Sequence, residues 1–153
     1  MRRPVRLATL ALLSALTAAP APGLPAAAAA TDPEVGALLR DYIGLYTRDA
    51  LDAWRGLFHP AFVAAFTNDD GSTTARNLDE FVARQKNYFA TGRPIREDLA
   101  DVQVDRQGRL ASVRASFTLH DGPTEKKGRL MMLLIRERER FVIQSLVFTY
   151  HLD

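Results

Sequence analysis

Hydrophobic residues recur at helical spacing as far as Phe89 and at strand spacing from Leu99 onward, with Gly92 and Pro94 standing at the switch. On the helical side, Val35, Leu38, Leu39, Tyr42 and Tyr46 fall along one stripe. Thr31-Asp-Pro-Glu34 precedes it as a helix start, with Thr31 as cap, Pro33 in the first turn and Glu34 at capping-box distance. A shorter helix is predicted over Asp49 to Phe58, turning Leu51, Trp54, Leu57 and Phe58 inward, with Pro60 as its stop. Ala61 to Thr67 reads as a strand, Asn68-Asp-Asp-Gly71 as a turn and Ser72 to Arg76 as the returning strand. A third helix opens at Asn77, with Glu80 at capping-box distance, and carries Leu78, Phe81, Val82, Tyr88 and Phe89.

On the strand side, Leu99 to Asp105 alternates through Val102 and Val104, and Leu110 to His120 alternates Val113, Ala115, Phe117 and Leu119 against polar residues. Leu130 to Ile135 is apolar on both faces, as a central strand is, and Phe141 to Leu152 closes the series. The Arg136-Glu-Arg-Glu-Arg140 run reads as a solvated hairpin tip. Three helices followed by antiparallel strands predict an α+β fold, with helices packed over one face of a curved, antiparallel or mixed sheet.

Residues 1–30 stand apart. Arg2, Arg3 and Arg6 precede an apolar run from Leu7 to Ala19, and Pro20 to Ala30 is rich in proline and alanine, the layout of a cleavable secretory signal. As a helix the run rises about 20 Å, short of a roughly 30 Å hydrocarbon core. The chain is therefore expected to be exported, periplasmic or secreted, with residues 31–153 as a single mature domain free of any membrane anchor. The formal charge of +2 turns to −1, with 17 basic against 18 acidic residues, once the leader's arginines are set aside. That removes the electrostatic case for a nucleic-acid partner. The absence of cysteine excludes a disulfide framework, a thiol nucleophile and a thiolate metal site.

The order of elements, together with the segment Tyr42-Ile-Gly-Leu-Tyr-Thr-Arg-Asp-Ala-Leu-Asp-Ala-Trp-Arg-Gly-Leu-Phe-His-Pro60, resembles the nuclear transport factor 2-like superfamily. That superfamily includes ketosteroid isomerase, scytalone dehydratase and SnoaL-like polyketide cyclases. The resemblance implies a cone: a strongly bent sheet wrapped around a long first helix, with an apolar pocket at the wide end and an outer sheet face that often forms a homodimer. It also places the isomerase's hydrogen-bonding tyrosine on Tyr42. The isomerase's two carboxyl positions fall near Phe66 and Met132, which can neither move a proton nor donate a hydrogen bond. Asp69 and Asp70 sit in the turn cluster, where such residues serve backbone geometry.

Of the histidines, His59 stands beside Pro60 and His120 on a polar strand face. His151 shares a strand face with Ile143, Ser145, Val147 and Thr149. Because the superfamily's final strand often lines the pocket, Thr149 is a candidate ligand contact, and His151 a candidate ligand contact or acid-base group. Tyr42 and His151 are the best catalytic guesses. Tyr42, Tyr46, Trp54 and Phe58 from the helical half, with Phe62, Phe89 and Phe117, are the remaining candidate ligand contacts. No pair of histidines has zinc spacing, and no phosphate loop or dinucleotide fingerprint occurs, so neither metal nor cofactor is expected. The sequence reading favours an exported protein that binds a small apolar or aromatic molecule without transforming it, as a homodimer. An isomerase, dehydratase or cyclase is the alternative, and a dimeric protein-interaction module a third.

Overall fold

The computed structural model describes residues 32–68 and 70–151. The leader, the cap assigned to Thr31, and Asp69 lie outside them. Helix α1 (Pro33–Gly44) starts where the sequence predicts, but Asp32 caps it, accepting the backbone N–H of Glu34 at 3.1 Å and of Val35 at 3.0 Å. Arg106, remote in sequence, reaches the same carboxylate at 3.1 Å. Burial works to raise this carboxyl, but the Val35 N–H and Arg106 outweigh it and hold the group below its usual value.

A 3₁₀ turn (Arg48–Ala50) leads into α2 (Leu51–Arg55). This helix is shorter than predicted, because Phe58, His59 and Pro60 already belong to strand β1 (Phe58–Thr67). Pro60 therefore does not end a helix. It lies where the pairing of β1 is interrupted, between Phe58 and Val63, and a residue without an N–H is tolerated there. Strand β2 (Thr73–Asn77) returns antiparallel to β1, and its last residue, Asn77, caps α3 (Leu78–Ala90). The capping box is complete: Glu80 N–H donates to Asn77 at 3.0 Å, and Asn77 N–H to Glu80 at 3.1 Å.

Strands β3 (Ile95–Gln107), β4 (Leu110–Asp121), β5 (Thr124–Glu137) and β6 (Arg140–Tyr150) follow. Among the described residues six strands form one mixed sheet in the order β2-β1-β6-β5-β4-β3, in which only β1 and β6 run parallel. Its curl has identifiable causes. Besides the break in β1, the β3 register shifts between Ala100 and Gln103, where Asp101 takes a φ of 51°, and β6 shifts between Ile143 and Ser145. Each bulge bends its strand and increases the local twist, so the sheet wraps the helices instead of lying flat beneath them. Trp54, Phe62, Leu39, Met132, Leu134 and Ile143 fill the enclosed core. The α+β architecture with three α-helices and a curled mixed sheet is as the sequence predicts.

Candidate functional site

The inner face of the sheet and the helices enclose a cavity of about 80 Å³. Helix α1 contributes Tyr42, the loop after it Tyr46, α2 Trp54, and α3 Phe81, Arg84, Gln85 and Tyr88. The sheet contributes Phe66, Arg76, Glu97 and Phe117, then Leu119, Leu130, Leu146, Phe148 and Tyr150. Two hydrogen bonds fix the aromatic wall. The Trp54 indole N–H donates to the Tyr42 carbonyl at 3.0 Å, and the Tyr46 hydroxyl donates to the Gln85 amide oxygen at 2.6 Å, both buried. Glycine at 128 lets the Phe117 ring lie close against the strand backbone.

Glu97 is the carboxyl of this cavity, and its Oε1 is buried without a hydrogen-bond partner among the described residues. Desolvation pushes the group up to about 7, opposed by the Tyr42 hydroxyl and reinforced by the neighbouring Asp98 charge. The same carboxyl acts back on the phenols. Burial first, and Glu97 second, raise Tyr42 and Tyr46 well above the usual tyrosine range, while burial, Tyr88 and Glu97 take Tyr150 to about 12. At neutral pH the cavity thus combines a carboxyl poised between its two forms with phenols that remain proton donors.

The sequence-predicted contacts divide three ways. Tyr42, Tyr46, Trp54 and Phe117 line the cavity. Phe58, Phe62 and Phe89 are buried but stand behind the wall: Phe58 packs edge-on to Trp54 at 4.6 Å and to Phe62 at 4.7 Å, and Phe89 edge-on to Tyr46 at 5.2 Å. Thr149 and His151 lie elsewhere, both exposed. The bulge in β6 is the reason. Ile143 points inward, but past Gln144 the alternation changes parity, so Leu146, Phe148 and Tyr150 take the inner face and Val147 and Thr149 the outer.

The other histidines are also remote from the cavity. His59 pairs with Glu137 at 3.1 Å, and His120 lies between Asp98 at 2.9 Å and Glu125 at 3.1 Å on the outer face. Met132 is fully buried in the core, and Phe66 lines the cavity as an aromatic wall. The group that sequence reasoning missed is Glu97. Starting the strand at Leu99 hid it, although Ile95, Glu97 and Leu99 alternate onto one face ahead of the β3 bulge.

A family model described as a SnoaL-like domain matches residues 35–151. No functionally curated protein matches the sequence. Among solved structures, the chain is similar to an NTF2-like protein of unknown function from Shewanella baltica, with a TM-score of 0.63 at 13% identity over 81% of this chain and 96% of that one. It is similar to a candidate dehydratase of the NTF2-like family from Streptomyces avermitilis, with a TM-score of 0.65 at 16% identity over 81% and 98%. A candidate scytalone dehydratase from Novosphingobium aromaticivorans gives 0.64 at 11% identity over 80% and 85%. At such identities the likeness shows the fold alone.

Proposed function

Since the chain belongs to the SnoaL-like domain family and its aromatic cavity lies inside the curled sheet, we propose that it binds a small, flat, largely apolar molecule and exchanges a proton with it through Glu97. The observation that carries this reading is the buried, unpartnered Glu97 Oε1 in an otherwise aromatic cavity. Leaving a buried polar atom unsatisfied costs about 1–3 kcal/mol, and of the buried side-chain atoms without a hydrogen-bond partner among the described residues, Glu97 Oε1 is the one whose residue lines the cavity. It moves the balance from binding alone to the isomerase or dehydratase alternative. In the proton-transfer step the Glu97 carboxylate takes a proton from a carbon next to a carbonyl. Tyr42 or Tyr150, still protonated, donates a hydrogen bond to the oxygen that gains charge, and the proton then returns from the carboxylic acid. Candidate dehydratases among the similar structures agree with this class of chemistry without specifying a substrate.

The test uses acetophenone in heavy water, with loss of its methyl proton signal as readout. The carboxylate is the base, and its fraction grows with pH, so exchange should rise through about pH 7 and then level off. Glu97→Gln should lower the rate by about 10²–10⁴-fold while acetophenone still quenches Trp54, the single tryptophan. An unchanged rate in Glu97→Gln would remove the proton-transfer assignment and leave a binding protein.

The same proposal includes export, from the leader, and pairing of two copies through the outer sheet face. Supporting the second are Met131, Leu133, Val147 and Val63, which are 42–51% exposed and adjacent in register: Met131 faces Val147, while Leu133 and Val63 both face Ser145.

A further inference from the structure

Arg76 and Arg84 line the cavity, yet neither is ion-paired to a carboxylate among the described residues. Both are stacked on cavity aromatics. The Arg76 guanidinium lies 4.5 Å from the centroid of the Phe66 ring, and that of Arg84 lies 5.2 Å from the centroid of Tyr88. Stacking covers the face of a guanidinium and leaves its N–H donors directed outward in the plane, the geometry that suits a carboxylate. Of those donors, the only one engaged among the described residues is on Arg84, with a 3.4 Å hydrogen bond to the Tyr88 hydroxyl.

The surroundings separate this pair from the chain's other arginines. Arg55 is held by Asp79, Arg93 by Asp121, and Arg106 by Asp32 and Glu34. Arg40, Arg48, Arg109, Arg114, Arg129, Arg138 and Arg140 are also without carboxylate partners among the described residues, but none of them lines the cavity, and Arg114 and Arg129 stand on the outer sheet face. An inward-pointing charge can guard an edge strand such as β2, and Arg76 alone would admit that explanation. Arg84 comes from helix α3, has no edge to guard, and borders the same cavity. Its charge is felt inside, where it pulls Tyr150 downward against the burial that raises it.

The sheet order completes the arrangement. Arg76 belongs to β2 and Glu97 to β3, the two opposite edges of the curled sheet. A molecule held in the cavity therefore meets guanidinium groups from one edge and the carboxyl from the other, with aromatic rings between. We propose that Arg76 and Arg84 form a carboxylate-binding site at the β2 side of the cavity, so that the natural ligand is a small aromatic or similarly flat acid with its reacting carbon turned toward Glu97. The volume of about 80 Å³, well below the ~300–1,000 Å³ of drug-sized pockets, limits the apolar part to about one ring. This rests on reading the cavity as a ligand site.

The test compares 4-acetylbenzoate with 4-acetylbenzamide, which share shape and ketone and differ in charge, by quenching of Trp54 emission. The acid should bind about 10- to 100-fold more tightly than the amide, and that advantage should shrink between about 50 and about 500 mM salt. Arg84→Gln and Arg76→Gln should each reduce the advantage, with acetophenone binding retained and an unchanged melting curve showing that the fold is intact. Equal affinity for acid and amide, or an advantage that survives both substitutions, would overturn the carboxylate site and leave the ligand cavity standing. Absence of quenching by acid, amide and acetophenone alike would overturn the cavity reading and this inference with it.

Discussion

Gly128 has a neighbour on each side that lines the cavity, Phe117 on β4 and Tyr150 on β6. A Cβ at this position would fall on the Thr149 carbonyl oxygen and on the Phe117 ring, and the first is backbone that cannot step aside. Gly128→Ala should therefore destabilise the fold by about 1–3 kcal/mol, read as a lower urea midpoint, and displace Phe117 so that acetophenone binding weakens as well. At this scale the sequence was partly legible. Tyr42 announces itself by its helical stripe, and Phe117 by strict alternation along its strand. Glu97 did not, because an acid beside Arg96 and Asp98 looks like a solvated charge run until the strand is known to begin at Ile95.

Among the elements, α3 depends most visibly on its start. Asn77 closes β2 and caps the helix that carries Arg84, Gln85 and Tyr88 into the cavity wall. Asn77→Ala should cost about 1 kcal/mol of stability, with Asn77→Ser retaining most of it, as denaturant titration would measure. Element order and type were readable from the change in hydrophobic period, whereas strand irregularities were only half readable. In β3 the parity break between Leu99 and Val102 is present in the sequence as two residues, Ala100 and Asp101, between inward apolar positions. In β6 the run Phe141-Val-Ile143 is apolar at every position, so the bulge that follows leaves no trace in the pattern. That concealed slip is why the sequence pattern alone puts Thr149 and His151 on the inner face, whereas the bulge turns them outward. The shortened α2 has a different origin: Leu57 and Phe58 fit a helical stripe as well as a buried strand, and tertiary pairing decides between them.

For the whole molecule, the proposed pairing of two copies rests on the outer sheet face, and Val147, 51% exposed beside Met131, lies within it. Val147→Lys should shift the protein from dimer to monomer in sedimentation at micromolar concentration with little change in melting temperature, since the side chain is half exposed on the outer face and takes no part in the enclosed core. A wild-type protein that sediments as a monomer would remove the pairing. The sheet order has another consequence, in time instead of space. The sixth strand made, β6, lies in the middle, joining the β2-β1 pair to the β5-β4-β3 set. Seventy-two residues separate the end of β1 at Thr67 from the start of β6 at Arg140, a stretch that takes roughly 4–15 s to synthesise at about 5–20 residues per second. For that interval the two halves of the sheet have no strand to bridge them. A nascent chain of this topology keeps its two sheet halves apart until β6 has emerged, and then closes them in one late step.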